Sequence, residues 1–305
     1  MNKPTVTICI PAYNEQHNID NILKQIFAQK QDNYILNKVI VASDGSTDNT
    51  VNIAKKYLSL GVEVINGKAN KGQTYRQNEM IAKASSDILV LLNADLLIHG
   101  EQVLSKLIAP IQEGADLTAQ WAKPIPPIKL IEKILYAGFK LKYFVYIRYK
   151  KGNNVYTCVG HMRALSKRFY STVKFPTVSE GEDQYLYFLC KNGGFKYAYI
   201  DSDNLVFKLP DNLHDYIMYG RRIFQTQKKH GDIFNKKLIQ SERQIPLKLQ
   251  LQACFYGLTR QPIHTLLYIL LHLIVQQWSL RQPTNPKHVF EVSKSTKLLH
   301  PNSSS

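Results

Sequence analysis

Cysteine is scarce in this sequence and has no regular spacing. The cysteines are Cys9, Cys158, Cys190 and Cys254. This scatter, without a CxxC pair, argues against a zinc site and a disulfide framework, and it favours a reducing compartment. The first residues also lack the apolar run and cleavage site of a secretory signal, because a strand pattern begins at once. We therefore expect a cytoplasmic protein.

The chain has no internal repeat and no low-complexity region beyond a short serine run at 303–305. Its 305 residues are 44% hydrophobic, enough for a large core. This composition is that of a folded protein rather than a disordered one. We expect one catalytic α/β domain with a C-terminal extension.

Acidic residues are few relative to basic ones, and the formal charge is +16. Between Trp121 and Phe175, twelve Lys and Arg residues stand against the single Glu132, so this stretch alone carries +11. A localised positive field favours a polyanionic partner, which could be a nucleic acid, an anionic membrane or a phosphorylated substrate. Composition alone does not choose among these partners.

Short apolar runs alternate with helical patterns over the first 120 residues. Strands are predicted at 5–10, 38–42, 62–65 and 88–92, with helices at about 18–30, 48–60 and 73–84. This order predicts a doubly wound, mostly parallel sheet that binds ligands at the carboxyl ends of its strands. A second α/β stretch follows, with a run near 156–161, a helix at about 182–191 and a strand at 195–200.

A polar cluster follows each of the first four strands. The clusters are PAYNE (11–15), SDGSTDNT (43–50), NGKANKG (66–72) and NAD (93–95). Asp44 and Asp95 end two apolar strands, so both carboxylates should face one cleft, where a divalent cation on a diphosphate would satisfy them. Either Asp alone could instead cap a helix, but four clusters together favour a ligand site.

Four segments of the chain, in order and spacing, resemble the motifs of the family 2 glycosyltransferases, which have the GT-A nucleotide-sugar-binding fold. They are VTICIPAYNEQHNID, VIVASDGSTDNT, NKGQTYRQNEMIAKASSDILVLLNAD and GEDQYLYFLCKNGGFKYAYI. The resemblance covers residues 4–200, with a weaker echo to 229. It implies an inverting hexosyl- or N-acetylhexosaminyltransferase that moves a sugar from a nucleotide diphosphate, expected to be UDP, to an acceptor hydroxyl.

The resemblance also implies the residues of the donor site. They are Pro11, Ala12, Tyr13, Glu15, Asp44, Lys71, Asn93, Asp95, Arg221 and Arg222. Asn93 and Asp95 stand in place of the family's metal-binding Asp-x-Asp, so they are the predicted ligands of Mg²⁺ or Mn²⁺. Because an amide oxygen binds a hard cation more weakly than a carboxylate, Asn93 should loosen metal binding or contact a sugar hydroxyl. His214 and His230 are weaker candidates for a further ligand.

GEDQ (181–184) matches the family's Glu-Asp motif, which implies the catalytic residues. An acceptor hydroxyl must lose its proton as it attacks the sugar, so a carboxylate is needed within hydrogen-bond reach as general base. Asp183 is the predicted base, and Glu182 is expected to orient the acceptor or a neighbouring loop. Either acid could also simply favour a helix N-terminus.

Residues 214–231 lie where many family members carry a Gln-x-x-Arg-Trp signature. Arg221 and Arg222 are present, whereas the Trp and the correctly spaced Gln are missing. Because that signature marks polymer-making synthases, its loss predicts a non-processive enzyme. Either arginine could stabilise the leaving diphosphate, or both could lie on a solvated helix face.

Two segments suggest contact with a membrane. Aromatic residues recur among lysines at 131–151, as in a helix that lies on an anionic membrane; the alternative is a helix packed on the catalytic domain. Residues 263–280 carry no Asp, Glu, Lys or Arg, and His272 interrupts them, which predicts a buried or interfacial helix more than a spanning one. We expect a peripheral enzyme on the cytoplasmic membrane face, with a lipid or lipid-linked glycan as candidate acceptor.

Other functions remain open at this point. No recognised nucleic-acid-binding motif appears, so no nucleic-acid partner is expected. A sugar-nucleotide-forming nucleotidyltransferase would usually carry a Gly-rich, Arg-containing loop where this chain has PAYNEQHN, and a non-catalytic nucleotide-sugar-binding protein would fit the degenerate metal motif. The predicted units are a nucleotide-sugar-binding half (1–122), a basic amphipathic helical insertion (123–152), an acceptor half (153–235) and an apolar helical extension (236–305).

Overall fold

The computed structural model describes residues 2–176, 181–282, 295–297 and 299. The strands within these ranges are β1 Thr5–Ala12, β2 Ile35–Asp44, β3 Val62–Gly67, β4 Ile88–Leu92, β5 Leu97–Ile98, β6 Leu117–Gln120, β7 Lys123–Pro124, β8 Met162–Ser166, β9 Tyr197–Ile200 and β10 Leu205–Phe207. The helices are α1 Ile19–Phe27, α2 Thr50–Lys55, α3 Gln73–Lys83, α4 Val103–Gln112, α5 Leu130–Arg148, α6 Lys167–Tyr170, α7 Glu182–Asn192, α8 Leu213–Ile233, α9 Lys236–Arg243, α10 Leu247–Arg260 and α11 Pro262–Arg281.

The strands form a seven-stranded sheet in the order β3-β2-β1-β4-β8-β6-β9 and a small sheet in the order β5-β10-β7. In the large sheet, β1 pairs in parallel with β2 and β4, and β2 pairs in parallel with β3. β8 runs antiparallel to both of its neighbours. This topology confirms the predicted mostly parallel, doubly wound sheet.

Side chains that alternate along the central strands fill one core on each face of the large sheet. Ile8 and Ile10 of β1 belong to the core beside α1, and Cys9 belongs to the core beside α7. β4 is buried along its whole length, as its unbroken apolar run predicts. Because β1, β2 and β4 are parallel, the polar loops that follow them meet at one edge of the sheet.

The predicted helix at 48–60 is shorter in the structure. α2 ends at Lys55, and a separate 3₁₀ turn, Leu58–Leu60, follows it. Tyr57 lies between them, and its hydroxyl group donates to Asp20 Oδ1 on α1 at 2.7 Å. Because this contact joins residues that are distant in sequence, no local pattern indicates that the helix ends at Lys55.

The run noted near 156–161 lies just before a strand, because β8 begins at Met162. The amide group of Asn154 donates to the carbonyl oxygens of Tyr146 and Tyr149, which holds the preceding residues in turns. Because β8 starts at Met162, residues 158–161 lie before it, at the edge of the sheet where the polar loops meet.

The basic aromatic segment forms α5, as predicted. The rings of Phe139, Tyr143 and Tyr146 lie with centroids between 5.2 and 5.8 Å from that of Trp121. Trp121 follows β6 of the large sheet, so these rings pack on the catalytic domain. Of the two predicted positions for this helix, on a membrane or packed on the domain, the second is therefore correct for this face of α5.

α11 packs on α5 and α8. Gly138 permits this approach, because a Cβ at that position would lie 2.0 Å from the ring of Tyr268. Among the described helices, α11 is long and apolar enough to cross a membrane, and only 22% of its apolar stretch is buried. The buried alternative is therefore wrong for most of this helix.

The outer sides of α10 and α11 expose many large apolar side chains. We call these residues the apolar outer surface: Leu247, Leu251, Phe255, Ile263, Leu266, Leu270, Leu273 and Ile274. A surface of this kind marks an interaction with a protein or a membrane. The predicted extension also includes residues 283–294, 298 and 300–305, which lie outside the described residues.

Candidate active site

The loops that follow β1 and β2 are joined by hydrogen bonds. The backbone N–H of Asn14 donates to Ser46 Oγ at 3.1 Å, and that of Glu15 donates to Thr50 Oγ1 at 2.7 Å. The first loop carries the predicted donor residues Pro11, Ala12, Tyr13 and Glu15. Its position is therefore set by the second loop, beside Asp44.

Asp44 lies buried between the second and third loops. Its carboxylate accepts hydrogen bonds from the backbone N–H groups of Lys71 and Gly72 and from Arg76 Nε, each at 2.8 Å. The Arg76 side chain is itself buried, so the two charges form a buried ion pair. Sequence reasoning assigned Asp44 to the donor and missed Arg76. In the structure, Asp44 holds the loop that precedes α3.

Glu15 is buried at the end of the first loop. It accepts hydrogen bonds from Asn18 Nδ2 at 2.8 Å and from Lys297 Nζ at 2.7 Å. Burial raises the pKa of Glu15 to about 7, the nearby Asp95 carboxylate adds to this rise, and the Lys297 ammonium opposes it. Glu15 and Lys297 are 282 positions apart in the sequence, which explains why no sequence pattern indicated the contact.

Gln73, the first residue of α3, connects the metal motif to the catalytic motif. Its Nε2 atom donates to Asn93 Oδ1 at 3.3 Å and to Glu182 Oε1 at 3.2 Å. Gln73 directly follows Gly72, whose N–H group binds Asp44. A short path of hydrogen bonds therefore runs from the second loop to the start of α7.

Three predicted site residues surround Gly160. A Cβ built on this glycine would lie 3.1 Å from Glu182 Oε1, 3.8 Å from Asn93 Nδ2 and 4.0 Å from Asp183 Oδ2. These side chains come from two separate segments of the chain, the loop after β4 and the start of α7. The structure therefore brings the predicted metal motif and the predicted catalytic pair to one place, and the missing side chain of Gly160 leaves space between them.

Asp183 has the electrostatic environment of a proton acceptor. Desolvation raises its pKa to about 6 and the neighbouring Glu182 carboxylate adds to the rise, whereas the charges of Arg163 and Arg222 oppose it. A carboxylate with such a pKa is ionised at neutral pH and is more basic than an ordinary aspartate. This property suits a general base.

Arg163 is a buried cation beneath the acidic pair. Its side chain is 0% exposed on β8, and its Nη2 atom lies 3.6 Å from Glu182 Oε1. Among the described residues, none accepts a hydrogen bond from its guanidinium group, so the contact with Glu182 is an ion pair only. Burial and the charge of Arg163 lower the pKa of the neighbouring His161 to about 3, so that ring stays neutral. Sequence reasoning missed Arg163, although an arginine within the otherwise apolar run MRAL (162–165) was a visible signal.

Arg222 faces two of the predicted site acids from α8. Burial raises the pKa of Asp95, and the positive charges of Lys297 and Arg222 oppose this rise. The same arginine opposes the rise at Asp183. Asp95 and Asp183 therefore share the field of one guanidinium group. Arg221 lies partly buried on the same helix and has its own interaction within the protein.

The two histidines proposed as further metal ligands lie in different settings. The His230 ring is buried against Phe188, its Nδ1 atom lies 3.0 Å from Arg243 Nη2, and burial and Arg243 lower its pKa to about 4. His214 is exposed beside Asp215. In the ranges that the structure describes, no three His, Cys, Asp or Glu side chains form a group that could hold a metal. His230 therefore lies in a structural setting and His214 in an exposed one, and a metal-ligand role for either stays a prediction.

The remaining oxygen donors fit a cation that arrives with phosphate. Asp95 offers a carboxylate and Asn93 an amide oxygen, and the positive charges near Asp95 are those of Lys297 and Arg222. Mg²⁺ and Mn²⁺ bind through one or two carboxylates when substrate phosphates complete their coordination. The donor set is too small for an independent metal centre and suits a metal–diphosphate.

The family model described as glycosyl transferase family 2 matches residues 7–173. A dolichol-phosphate mannosyltransferase from Pyrococcus furiosus is 33% identical over 114 residues, which cover 37% of this chain and 31% of that protein. A 4,4'-diaponeurosporenoate glycosyltransferase from Staphylococcus aureus is 28% identical over 140 residues, 45% of this chain and 35% of that protein. The matched part thus spans about a third of the length of these curated relatives.

Two solved structures share the fold. A mannosyltransferase from Pyrobaculum calidifontis, in complex with GDP-Man and Mn²⁺, has a TM-score of 0.60 at 15% identity, over 93% of this chain and 77% of that chain. Glucosyl-3-phosphoglycerate synthase from Mycobacterium tuberculosis, in complex with Mn²⁺, UDP and glucosyl-3-phosphoglycerate, has a TM-score of 0.54 at 18% identity, over 73% and 77% of the two chains. These similarities confirm the expected fold class.

Proposed function

Because the chain belongs to glycosyl transferase family 2, we propose that it is an inverting, non-processive glycosyltransferase. It moves a hexosyl group from a nucleotide diphosphate sugar to an acceptor hydroxyl. The observation that carries this proposal is the convergence of Asn93, Glu182 and Asp183 around Gly160. A sugar at that position would have the metal motif on one side and a basic carboxylate on the other.

Asp183 acts as the general base in this proposal. The acceptor oxygen attacks the anomeric carbon as the bond from that carbon to the diphosphate breaks, and the acceptor proton passes to Asp183. The pKa of Asp183, near 6, makes this transfer more favourable than it would be to an ordinary aspartate. Glu182, which Gln73 holds by a hydrogen bond, orients the acceptor.

Asp95 and Asn93 would hold Mg²⁺ or Mn²⁺ beside the diphosphate, as the Mn²⁺ complexes of proteins with this fold suggest. When bound, the ion supplies positive charge to the leaving group. Arg222 faces Asp95 and adds its own charge on the same side. The loop of Pro11, Ala12, Tyr13 and Glu15 surrounds the nucleotide, with Asp44 and Lys71 beside it.

The nucleotide is proposed to be UDP. The Mycobacterium tuberculosis synthase was solved in complex with UDP, whereas the Pyrobaculum calidifontis enzyme was solved in complex with GDP-Man. Both nucleotides therefore belong in the first assay.

The proposed acceptor is a lipid or a lipid-linked glycan at a membrane. Two observations support this: the exposed apolar outer surface, and the lipid substrates for which the two curated relatives are named. An apolar surface beside a strongly basic segment is typical of a protein that binds an anionic membrane without crossing it. We propose that the enzyme lies on the cytoplasmic face.

The test is a transfer assay with UDP- and GDP-hexoses, Mn²⁺ and a membrane lipid extract. Release of nucleotide diphosphate, together with a sugar-labelled lipid, is the expected result. Asp183→Asn is the matched control, because it keeps the shape of the side chain and removes the base. Binding without turnover would instead indicate a non-catalytic nucleotide-sugar-binding protein, and pyrophosphate release from a nucleoside triphosphate would indicate a nucleotidyltransferase.

A further inference from the structure

A short turn from the end of the chain, Ser295–Lys297, lies on the loop that follows β1. The Lys297 ammonium forms an ion pair with Glu15 Oε1 at 2.7 Å. It also donates to the carbonyl oxygens of Tyr13 and Asn14. The side chains of Lys297 and Glu15 are 16% and 8% exposed, so the pair is largely removed from water.

The turn is anchored at both of its ends. Asn18 Nδ2 donates to the carbonyl oxygen of Lys297 at 2.7 Å. The backbone N–H and the hydroxyl group of Ser295 both donate to Asp215 Oδ2, at 3.0 and 2.5 Å. The turn therefore bridges the β1 loop and the first turn of α8, and Lys297 is held in place rather than loosely near an acid.

The contacts of Lys297 leave no donor for a ligand. An ammonium group carries three N–H bonds, and Glu15, Tyr13 and Asn14 provide three acceptors for them. The ammonium also lies 5.6 Å from the centroid of the Tyr13 ring, so it covers the loop assigned to the nucleotide. A phosphate contact or a base stacked on Tyr13 would require Lys297 to move.

The charge of Lys297 also acts on Asp95, the carboxylate proposed to hold the donor's cation. A divalent cation at Asp95 would bring a second positive charge toward this ammonium, and like charges repel in a partly desolvated site. Binding of the cation at Asp95 and binding of the Lys297 ammonium at Glu15 therefore oppose each other.

We propose, on the basis of the transferase function above, that Lys297 is an intramolecular competitor of the donor. It fills and neutralises the donor pocket in the free protein, and the nucleotide diphosphate with its cation displaces it. The apparent affinity for the donor is then reduced by the fraction of molecules in which Lys297 is bound. Lys297 thus sets how much donor the enzyme needs.

The test compares nucleotide binding by the full chain and its variants, measured by calorimetry with UDP or GDP and Mn²⁺. Lys297→Ala should bind the nucleotide more tightly, by about tenfold if Lys297 is bound in roughly nine molecules of ten. Ser295→Ala, which keeps the ammonium and removes one anchor to Asp215, should change affinity in the same direction by less. Lys24→Ala, which removes an exposed lysine on α1, is the control and should leave affinity unchanged.

Hydrogen exchange of the Ser295 amide gives a second readout that does not depend on turnover. In the unchanged protein, this amide should be protected without nucleotide and should exchange faster once nucleotide and Mn²⁺ are bound. Equal or weaker nucleotide binding by both Lys297→Ala and Ser295→Ala would overturn the competitor proposal and leave the transferase function standing. If no protein in the set binds a nucleotide diphosphate, the transferase function fails and the competitor proposal fails with it.

Discussion

Arg163 lies directly beneath Glu182, with its Nη2 atom 3.6 Å from Glu182 Oε1 and its side chain wholly buried. The next residue is Asp183, the proposed base. A buried positive charge therefore lies under the acidic pair, and it favours the ionised form of Asp183 in a setting that water screens weakly.

Arg163→Met removes this charge and should shift the acid limb of the kcat profile upward by about one pH unit, because the proposed base then binds its proton more tightly. The other charged groups that face Asp183, Glu182 and Arg222, stay in place. Arg163→Lys restores a cation and should recover most of the wild-type profile. An unchanged profile in Arg163→Met would show that the arginine does not act on the base.

Asp183→Asn should lower kcat by about 10²- to 10⁴-fold while nucleotide binding stays near the wild-type value. The same variant should be more stable than the wild type above pH 6. The folded-state pKa of Asp183, near 6, exceeds its ordinary value of 3.8, so the folded protein binds more protons between these values and loses stability as pH rises through them.

The stability difference should therefore be on the order of 1 kcal/mol or more at pH 8 and should fade below pH 4, where the wild-type carboxyl group is protonated in both states. Urea unfolding at the two pH values measures it. A variant that is no more stable than the wild type at pH 8 would mean that the ionised Asp183 is well solvated.

Asn93→Asp restores the acid at the first position of the metal motif. It should lower the Mn²⁺ concentration needed for half-maximal nucleotide binding. Gln73 can still donate to the new carboxylate, so the hydrogen bond to this side chain persists. Asp95→Ala is the contrasting variant and should abolish the Mn²⁺ dependence together with transfer. Calorimetric titrations at fixed nucleotide concentration distinguish the two, and identical Mn²⁺ curves for Asn93→Asp and the wild type would contradict the assigned role.

Arg76→Met should destabilise the fold by about 3–5 kcal/mol, because it leaves the buried Asp44 carboxylate without its charged partner. The exposed pair of Lys24 and Asp20 on α1 offers a control, and Lys24→Ala should cost less than about 1 kcal/mol. Urea unfolding of both variants gives the comparison. Similar costs for the two would show that burial contributes little to the Asp44 pair.

Phe255→Glu combined with Leu266→Glu should abolish binding to anionic vesicles, because it places charge within the apolar outer surface. Both side chains are exposed, at 71% and 58%, so the fold should tolerate the changes. Co-sedimentation with vesicles measures binding, and transfer to a water-soluble acceptor serves as the control activity. Persistent vesicle binding by the double variant would move the membrane contact elsewhere.

The first half of the sheet was predictable from sequence because its strands contain short apolar, β-branched runs that end abruptly in polar clusters. The unbroken run of β4 is the clearest case, and its position is predicted to the residue. α4, Val103–Gln112, was not predicted, although it is strongly apolar, and neither were the short strands β5, β6 and β7. Elements of two to four residues are defined by their neighbours and carry almost no periodic signal.

The site residues likewise divide into those that a local sequence pattern predicts and those that it does not. Asp44, Asn93, Asp95 and Asp183 follow strands or begin a helix, where local patterns point to ligands. Their partners Gln73, Arg76, Arg163 and Lys297 do not, because each is brought in by tertiary packing. His230 follows the structural role expected of a lone histidine, because in the fold its ring packs against Phe188 in the core beside α7.

The tight approach of Gly138 to Tyr268 also has a mechanical consequence. It locks α11 to α5, and α5 is in turn locked to the sheet through Trp121. If α11 binds to a bilayer as proposed, the candidate active site is therefore held at one fixed height above the membrane and at one fixed tilt. Only acceptors whose reactive hydroxyl projects to that height would be glycosylated, so the length of the headgroup becomes a criterion of selection.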